Sequence, residues 1–174
     1  MIDVRPANLR DASWITANMQ RLDREEIFCQ LNDGVTTAQL AEWLILGGDG
    51  FIAYLRDEPV MLFGTTPIAA SCMSVWAMGT RQTPRVIPAV SRYLIETHIP
   101  WRLEQGFNSM EARSLVTHGA AHRWMESMGG VRHGPAFVFG KGGEHFILYR
   151  WTVAGYRAIR QSRWAPSVPQ EYKS

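Results

Sequence analysis

Apolar residues recur along this chain in two rhythms, one near 3.6 residues and one of two, and together they mark out short helices and strands. The clearest helical stretch is THGAAHRWMESMGG, residues 117–130. There Ala121, Trp124, Met125 and Met128 fall at i, i+3, i+4 and i+7, on one helical face. Thr117 is a candidate cap at its start, and Gly129-Gly130 ends it, since glycine enters the left-handed region without a steric penalty. Residues 109–116 before it read as a strand. After it, residues 136–139 and 144–151 form a hairpin around residues 140–143.

Toward the N-terminus, residues 2–5 form a short β-like run ended by Pro6. Asn8 caps a helical pattern carrying Leu9, Ala12, Trp14, Ile15, Met19 and Leu22, with Asp11 in its first turn, where negative charge suits the helix dipole. Asn32-Asp33-Gly34 is a turn, and Thr37 opens a second amphipathic helix through Leu40, Trp43, Leu44 and Ile45. Residues 51–55 and 60–63 are nearly all apolar, which predicts a hairpin of central strands covered on both faces. Residues 71–78 form a further strand. A polar loop, residues 79–84, leads to a helix with Pro88 in its first turn and Val90, Tyr93 and Leu94 on its apolar face, broken or kinked at Pro100. Seven strands are predicted, in the order strand, two helices, three strands, helix, strand, helix, two strands. The expected fold class is α/β (α+β), with a mixed, mostly antiparallel sheet and helices on both faces.

Composition narrows this picture. At 174 residues and 46% hydrophobic content, the chain suits one domain with a sizeable core. We divide it into a domain at 1–151 and a basic helix with an extended tail at 152–174. Cys29 and Cys72 are too few for a disulfide framework and read as reduced core thiols. The opening MIDVRPANLRD is not a signal peptide, and no apolar run reaches the roughly 18–20 residues that cross a bilayer, so the expected location is cytoplasmic, with no membrane span. Of the 18 basic residues only Lys141 and Lys173 are lysine. Arginine suits phosphate and carboxylate, although a GC-rich coding sequence produces the same bias. Nothing resembles the dense basic face of a dedicated nucleic-acid binder.

Several clusters carry candidate chemistry. Asp23, Arg24, Glu25 and Glu26 read as a solvated helix face or as the lining of a cleft that attracts an amine. His118 and His122 sit four apart, but Gly119 stands where a zinc protease needs glutamate, so no metal is expected; His118 is read as a helix cap and His122 as exposed. No Gly-x-Ser-x-Gly elbow occurs, and residues 140–143 are a hairpin turn rather than a phosphate loop. Trp14, Trp43, Trp76 and Trp124 read as core, with Trp151 and Trp164 as candidates for a partner surface. Arg157, Arg160 and Arg163 make the C-terminal helix basic, a segment that either packs back on the domain or meets a partner.

The element order, the VRPA opening and the spacing of His118, Ala121, Trp124, Met125, Gly129 and Gly130 resemble the GNAT superfamily of N-acetyltransferases over roughly residues 1–151. That resemblance implies acetyl-CoA as cofactor, with backbone N–H groups around Val75, Ala77 and Met78 polarising its carbonyl. Three departures stand out. Met125 occupies the position of the family's general-acid tyrosine and has no proton to give. The loop after the fourth strand, GTRQTPR, lacks the glycines of a pyrophosphate cradle, leaving Arg81 and Arg85 to bind phosphate by side chain. No carboxylate lies on residues 71–78, so Glu111 is the nearest candidate base, with His118 or His122 able to replace the tyrosine.

More narrowly, the aromatic fourth strand and the aromatic-Met ending look like GNAT-like internal virion proteins of short-tailed bacteriophages. This implies a protein of the host cytoplasm or virion, acting by protein–protein contact with phage or self subunits through its C-terminal segment, with weak or no catalysis. The alternative is an active acetyl-CoA-dependent N-acetyltransferase.

Overall fold

The computed structural model describes residues 1–163. The elements run β1 (Ile2–Pro6), α1 (Leu9–Ala17), α2 (Arg21–Phe28), α3 (Thr37–Leu46), β2 (Asp49–Leu55), β3 (Glu58–Ala69) and β4 (Cys72–Gly79). There follow a 3-10 turn (Thr83–Arg85), α4 (Ile87–Tyr93), a π-helical turn (Leu94–His98), α5 (Ile99–Glu104), β5 (Ser109–Leu115), α6 (Gly119–Ser127), β6 (Val131–Arg132), β7 (Phe137–Val138), β8 (His145–Thr152) and α7 (Val153–Arg163).

One sheet has the order β1-β2-β3-β4-β5-β8-β6, with β7 also on β8. Every pair is antiparallel except β4 with β5. The expected mixed, mostly antiparallel sheet is what forms, with one strand more than the pattern gave, the two-residue β6. The β2–β3 hairpin turns on Arg56-Asp57, both at positive φ, the geometry of a two-residue turn that follows strand twist. Asn8 caps α1 by accepting from the Asp11 N–H. The cap of α3 is Thr36, one residue before the expected Thr37, in a reciprocal capping box with Gln39.

Two clusters of buried side chains flank the sheet. Ala53, Met61, Phe63, Met73, Met110 and Ala112 face α4, α5, α6 and α7; Ile52, Leu62 and Met78 face α1 and α3. Burying each large apolar side chain contributes about 1.5–3 kcal/mol. Helix α7 packs back on the first cluster through Ile159 and through Tyr156, whose hydroxyl donates to the Ile95 carbonyl 2.9 Å away. Arg157 and Arg160 face outward. The Arg163 side chain, Trp164 and the expected extended tail lie outside the described residues.

Several tryptophan assignments change. Trp14 and Trp43 are about half exposed, because the buried stripes run through Ala12, Ile15 and Thr16 on α1 and through Leu40 and Ala41 on α3. Trp151 is buried instead, and its indole N–H donates to the Met128 carbonyl at 3.1 Å. Among the described residues no helix is long and apolar enough to cross a membrane.

Candidate functional site

The one parallel pair among the described strands, β4 with β5, opens a gap in the sheet. β4 and β5 pair only at Cys72–Ser109, Met73–Met110 and Ser74–Glu111, and no rung follows. The strands then diverge, leaving the last five residues of β4 without a paired strand on that side among the described residues. Backbone alternation shows which groups face the gap. Thr80 donates to Val60, so in the antiparallel ladder Met78, Trp76 and Ser74 turn their backbone groups to β3. Gly79 and Ala77 turn theirs the other way. Gly79 confirms the parity, giving its N–H to Asp23 Oδ2 at 2.7 Å and taking the Gln20 N–H at 2.9 Å. Val75 sits at the apex of the split, and the N–H and C=O of Ala77 face the gap with no strand beside them.

Around this gap lies a cavity of about 460 Å³ that passes between the two faces of the sheet. Met61, Val75, Ala77, Met110, Ala112 and Met125 form apolar walls, and Asp23, Glu26, Ser114 and His118 stand on its polar side. Thr83, Pro84 and Ile87 border it from the loop after β4 and the start of α4. The size falls in the range of small-molecule sites, roughly 300–1,000 Å³.

The polar side is built from residues far apart in the chain. Asp23 and Glu26, three apart, share a face of α2. Glu26 Oε2 accepts from Ser114 Oγ at 2.7 Å, from the Leu115 N–H at 2.8 Å, and stands 3.0 Å from His118 Nδ1. His118 Nε2 lies 3.4 Å from Asp23 Oδ1. Glu26 therefore fixes Nδ1 as the donor and leaves Nε2 toward Asp23 and the cavity. Burial alone would lower the His118 pKa, but its hydrogen bond to Glu26 and the charges of Glu26 and Asp23 outweigh it, so the net shift is upward. Burial also raises the Asp23 carboxyl, against the Gly79 and Gln20 hydrogen bonds that favour its ionised form. Each group therefore keeps its proton to a higher pH than it would in water. Arg24 and Glu25 stay out of this cluster: Arg24 donates to the Ala17 carbonyl and Glu25 pairs with Arg21.

The expected site residues separate on this frame. Val75, Ala77, Met78 and His118 line the cavity. The Met78 backbone belongs to the β3 ladder, so of the three β4 positions Ala77 presents its N–H to the gap. His118 starts α6 but its side chain caps nothing there. His122 is buried rather than exposed, because Nε2 donates to the Leu115 carbonyl at 2.9 Å and Nδ1 meets the Tyr149 hydroxyl at 3.0 Å. The two histidines thus diverge, and among the described residues no His, Cys, Asp or Glu group is placed to hold a metal ion. Glu111 does not line the cavity; Arg113 at 2.7 Å and Arg150 at 3.5 Å hold its carboxylate. Arg81 and Arg85 are exposed on the loop rim.

The loop itself has few backbone donors to offer. The N–H groups of Gln82, Thr83, Arg85 and Val86 are all bonded within it, and Pro84 has none. At the rim the loop offers the exposed side chains of Arg81 and Arg85 rather than a cradle of backbone N–H groups. Asp23 and Glu26 follow the cleft-lining alternative for this charged patch, but their pairing with His118, more than ninety residues away, is not visible in the sequence. Their i, i+3 spacing on an otherwise polar helix was the available signal.

Neither a protein-family model nor a curated protein matches the sequence. Solved structures do match the fold. The ribosomal-protein-S18-alanine N-acetyltransferase of Escherichia coli aligns with a TM-score of 0.64 at 13% identity, over 88% of this chain and 94% of that one. YncA from Salmonella typhimurium, solved with its cofactor acetyl-CoA, gives 0.65 at 14% identity, over 87% and 93%. A GNAT-family acetyltransferase from Streptococcus pneumoniae gives 0.61 at 12% identity, over 87% and 99%. The chain has the GNAT fold.

Proposed function

We propose that this protein is an acyl-CoA-dependent N-acyltransferase that transfers an acetyl group to an amine. The observation that carries the reading is the cavity at the split between β4 and β5, with the Asp23–His118–Glu26 cluster on its polar side. Acetyl-CoA, the cofactor in the YncA structure, would supply an activated thioester carbonyl. Val75, Ala77 and the apolar walls would hold the arm and acyl end, and Arg81 and Arg85 the phosphates. The Ala77 N–H is the donor available in the gap for an oxygen that gains charge.

His118 acts as the base. With Nδ1 donating to Glu26, Nε2 takes a proton from the incoming amine, and Asp23 holds the imidazolium that forms. The two carboxylates also favour a cationic acceptor approaching along α2. Glu26 is a positioning residue. Met125 supplies no acid, and general-acid help typically contributes about 10²–10⁴-fold, so turnover is slow rather than absent.

Thiol release from acetyl-CoA, followed with a panel of primary amines from pH 6 to 9.5, tests this. The rate should rise with pH through a His118 pKa above 6.5. His118→Gln should remove that limb, and Glu26→Gln should move it down. A profile unchanged by either substitution would overturn the assignment.

A second reading rests on Met125 and the internally bonded loop: the fold serves assembly, as in a virion-associated phage protein, and acts by protein contact. Co-purification with a specific protein partner, without any acyl-CoA binding, would support it.

A further inference from the structure

The cavity continues past the apex of the strand split to a buried end that the transfer chemistry does not use. Thr65, paired in register with Val75, stands there with Leu94, His98, Ile99, Met110 and Trp151. All six are buried. His98 is the last residue of the π-helical turn, a distortion of helices often found at functional sites. Only 1% of it is exposed, and its Nδ1 has no hydrogen-bond partner.

The neighbours determine what that nitrogen carries. Thr65 Oγ1 accepts from Arg102 Nε at 3.2 Å and from Arg102 Nη2 at 3.1 Å, which uses both its lone pairs. Its own hydroxyl proton is left for His98 Nε2, 3.1 Å away. Nε2 is then the acceptor and Nδ1 bears the hydrogen. A buried N–H with nothing to receive it is rare in folded proteins and is costly. Asp49 pairs with Arg102 and Gln105 accepts from it at 2.7 Å, so that cation is balanced and the unmet group at this end is the neutral imidazole N–H.

We propose that the closed end of the cavity is an acyl-selecting subsite in which His98 Nδ1–H donates to an oxygen carried on the acyl chain beyond the thioester carbonyl. This rests on the acyl-CoA reading and deepens it: the site accepts acetyl-CoA and prefers a short hydroxy- or oxo-acyl thioester. Thr65 fixes the tautomer, the apolar residues take the chain, and the imidazole reads the oxygen. An unsubstituted chain of equal length fills the space but leaves the N–H unpaired, which is how a polar subsite rejects an apolar analogue.

Calorimetric titration of the whole protein with acetyl-CoA, butyryl-CoA and 3-hydroxybutyryl-CoA tests the assignment. The wild-type protein should bind 3-hydroxybutyryl-CoA at least tenfold more tightly than either of the others. His98→Phe should bring it down to the affinity of butyryl-CoA. Binding of all three thioesters with equal affinity, or a preference that survives His98→Phe, would overturn the subsite and leave the acyl-CoA reading standing. Failure of all three to bind would overturn both. The wild-type comparison alone decides the matter if the variant does not fold.

Discussion

Replacing His98 with glutamine should flatten the acid side of the stability profile. The imidazole is buried, with one ring nitrogen on Thr65 and the other unpartnered, and the Arg102 guanidinium reaches the same hydroxyl. Burial pushes its pKa from 6.5 down to about 4. The folded protein therefore binds this proton less readily than the unfolded chain does. Stability from this group is complete above pH 6.5 and is lost as pH falls through the folded value near 4. At about 1.4 kcal/mol per pKa unit, the shift corresponds to about 3 kcal/mol, most of it lost by pH 4.5. Asp23 works in the opposite sense. Burial raises its carboxyl pKa above 3.8, so its contribution is fully present at the lowest pH and is lost as pH rises through the folded value. Comparing wild type with His98→Gln at each pH cancels that contribution. Urea unfolding at pH 7.5, 6.5, 5.5 and 4.5 should show the difference between the two proteins changing by about 2–3 kcal/mol in favour of the variant across that range. Parallel profiles would refute the argument that His98 is held neutral by burial.

Two further outcomes follow from the geometry. Alanine at both Arg81 and Arg85 should weaken CoA binding by at least about tenfold, since hydrogen bonds to charged groups contribute about 1.5–3 kcal/mol each. Acetyl-pantetheine, which lacks the nucleotide phosphates, should bind as before; equal losses for both ligands would place the arginines elsewhere in the interaction. Gly64→Ala should lower stability by about 2–3 kcal/mol in a thermal or urea melt, because an added Cβ would meet the Asp49 carbonyl and come 2.6 Å from the Trp76 ring. A neutral effect would mean that β2 and β4 give way more easily than close packing allows.

Much of the fold was legible because it follows from local rules. Asn8 caps α1, Pro88 enters the first turn of α4, and the apolar run at residues 60–63 became the buried middle of β3. The errors come from faces that sequence period alone does not rank. On α1 and α3 the buried stripe is narrow, and Trp14 and Trp43 lie just off it. Trp151 faces inward because its partner in register, Met110, belongs to the core. The site was half legible. The resemblance pointed to Val75, Ala77 and Met78 together; that the Ala77 backbone rather than that of Met78 faces the gap depends on register and on where the parallel pair ends, which are tertiary facts. The Asp23–His118–Glu26 cluster needs α2 to cross the ends of β4 and β5, which no local pattern encodes. Glu111 looked available as a base because its arginine partners, Arg113 and Arg150, sit on its own strand and across the ladder, where their pairing shows only once register is known.

The measurement that bears most directly on acyl-CoA binding in the strand split is amide NMR of the isotopically labelled protein during titration with acetyl-CoA. The Ala77 resonance should shift strongly and saturate at micromolar ligand, while Trp76 and Met78, bonded to β3, move less. An Ala77 amide that stays fixed up to millimolar acetyl-CoA would contradict binding in the split.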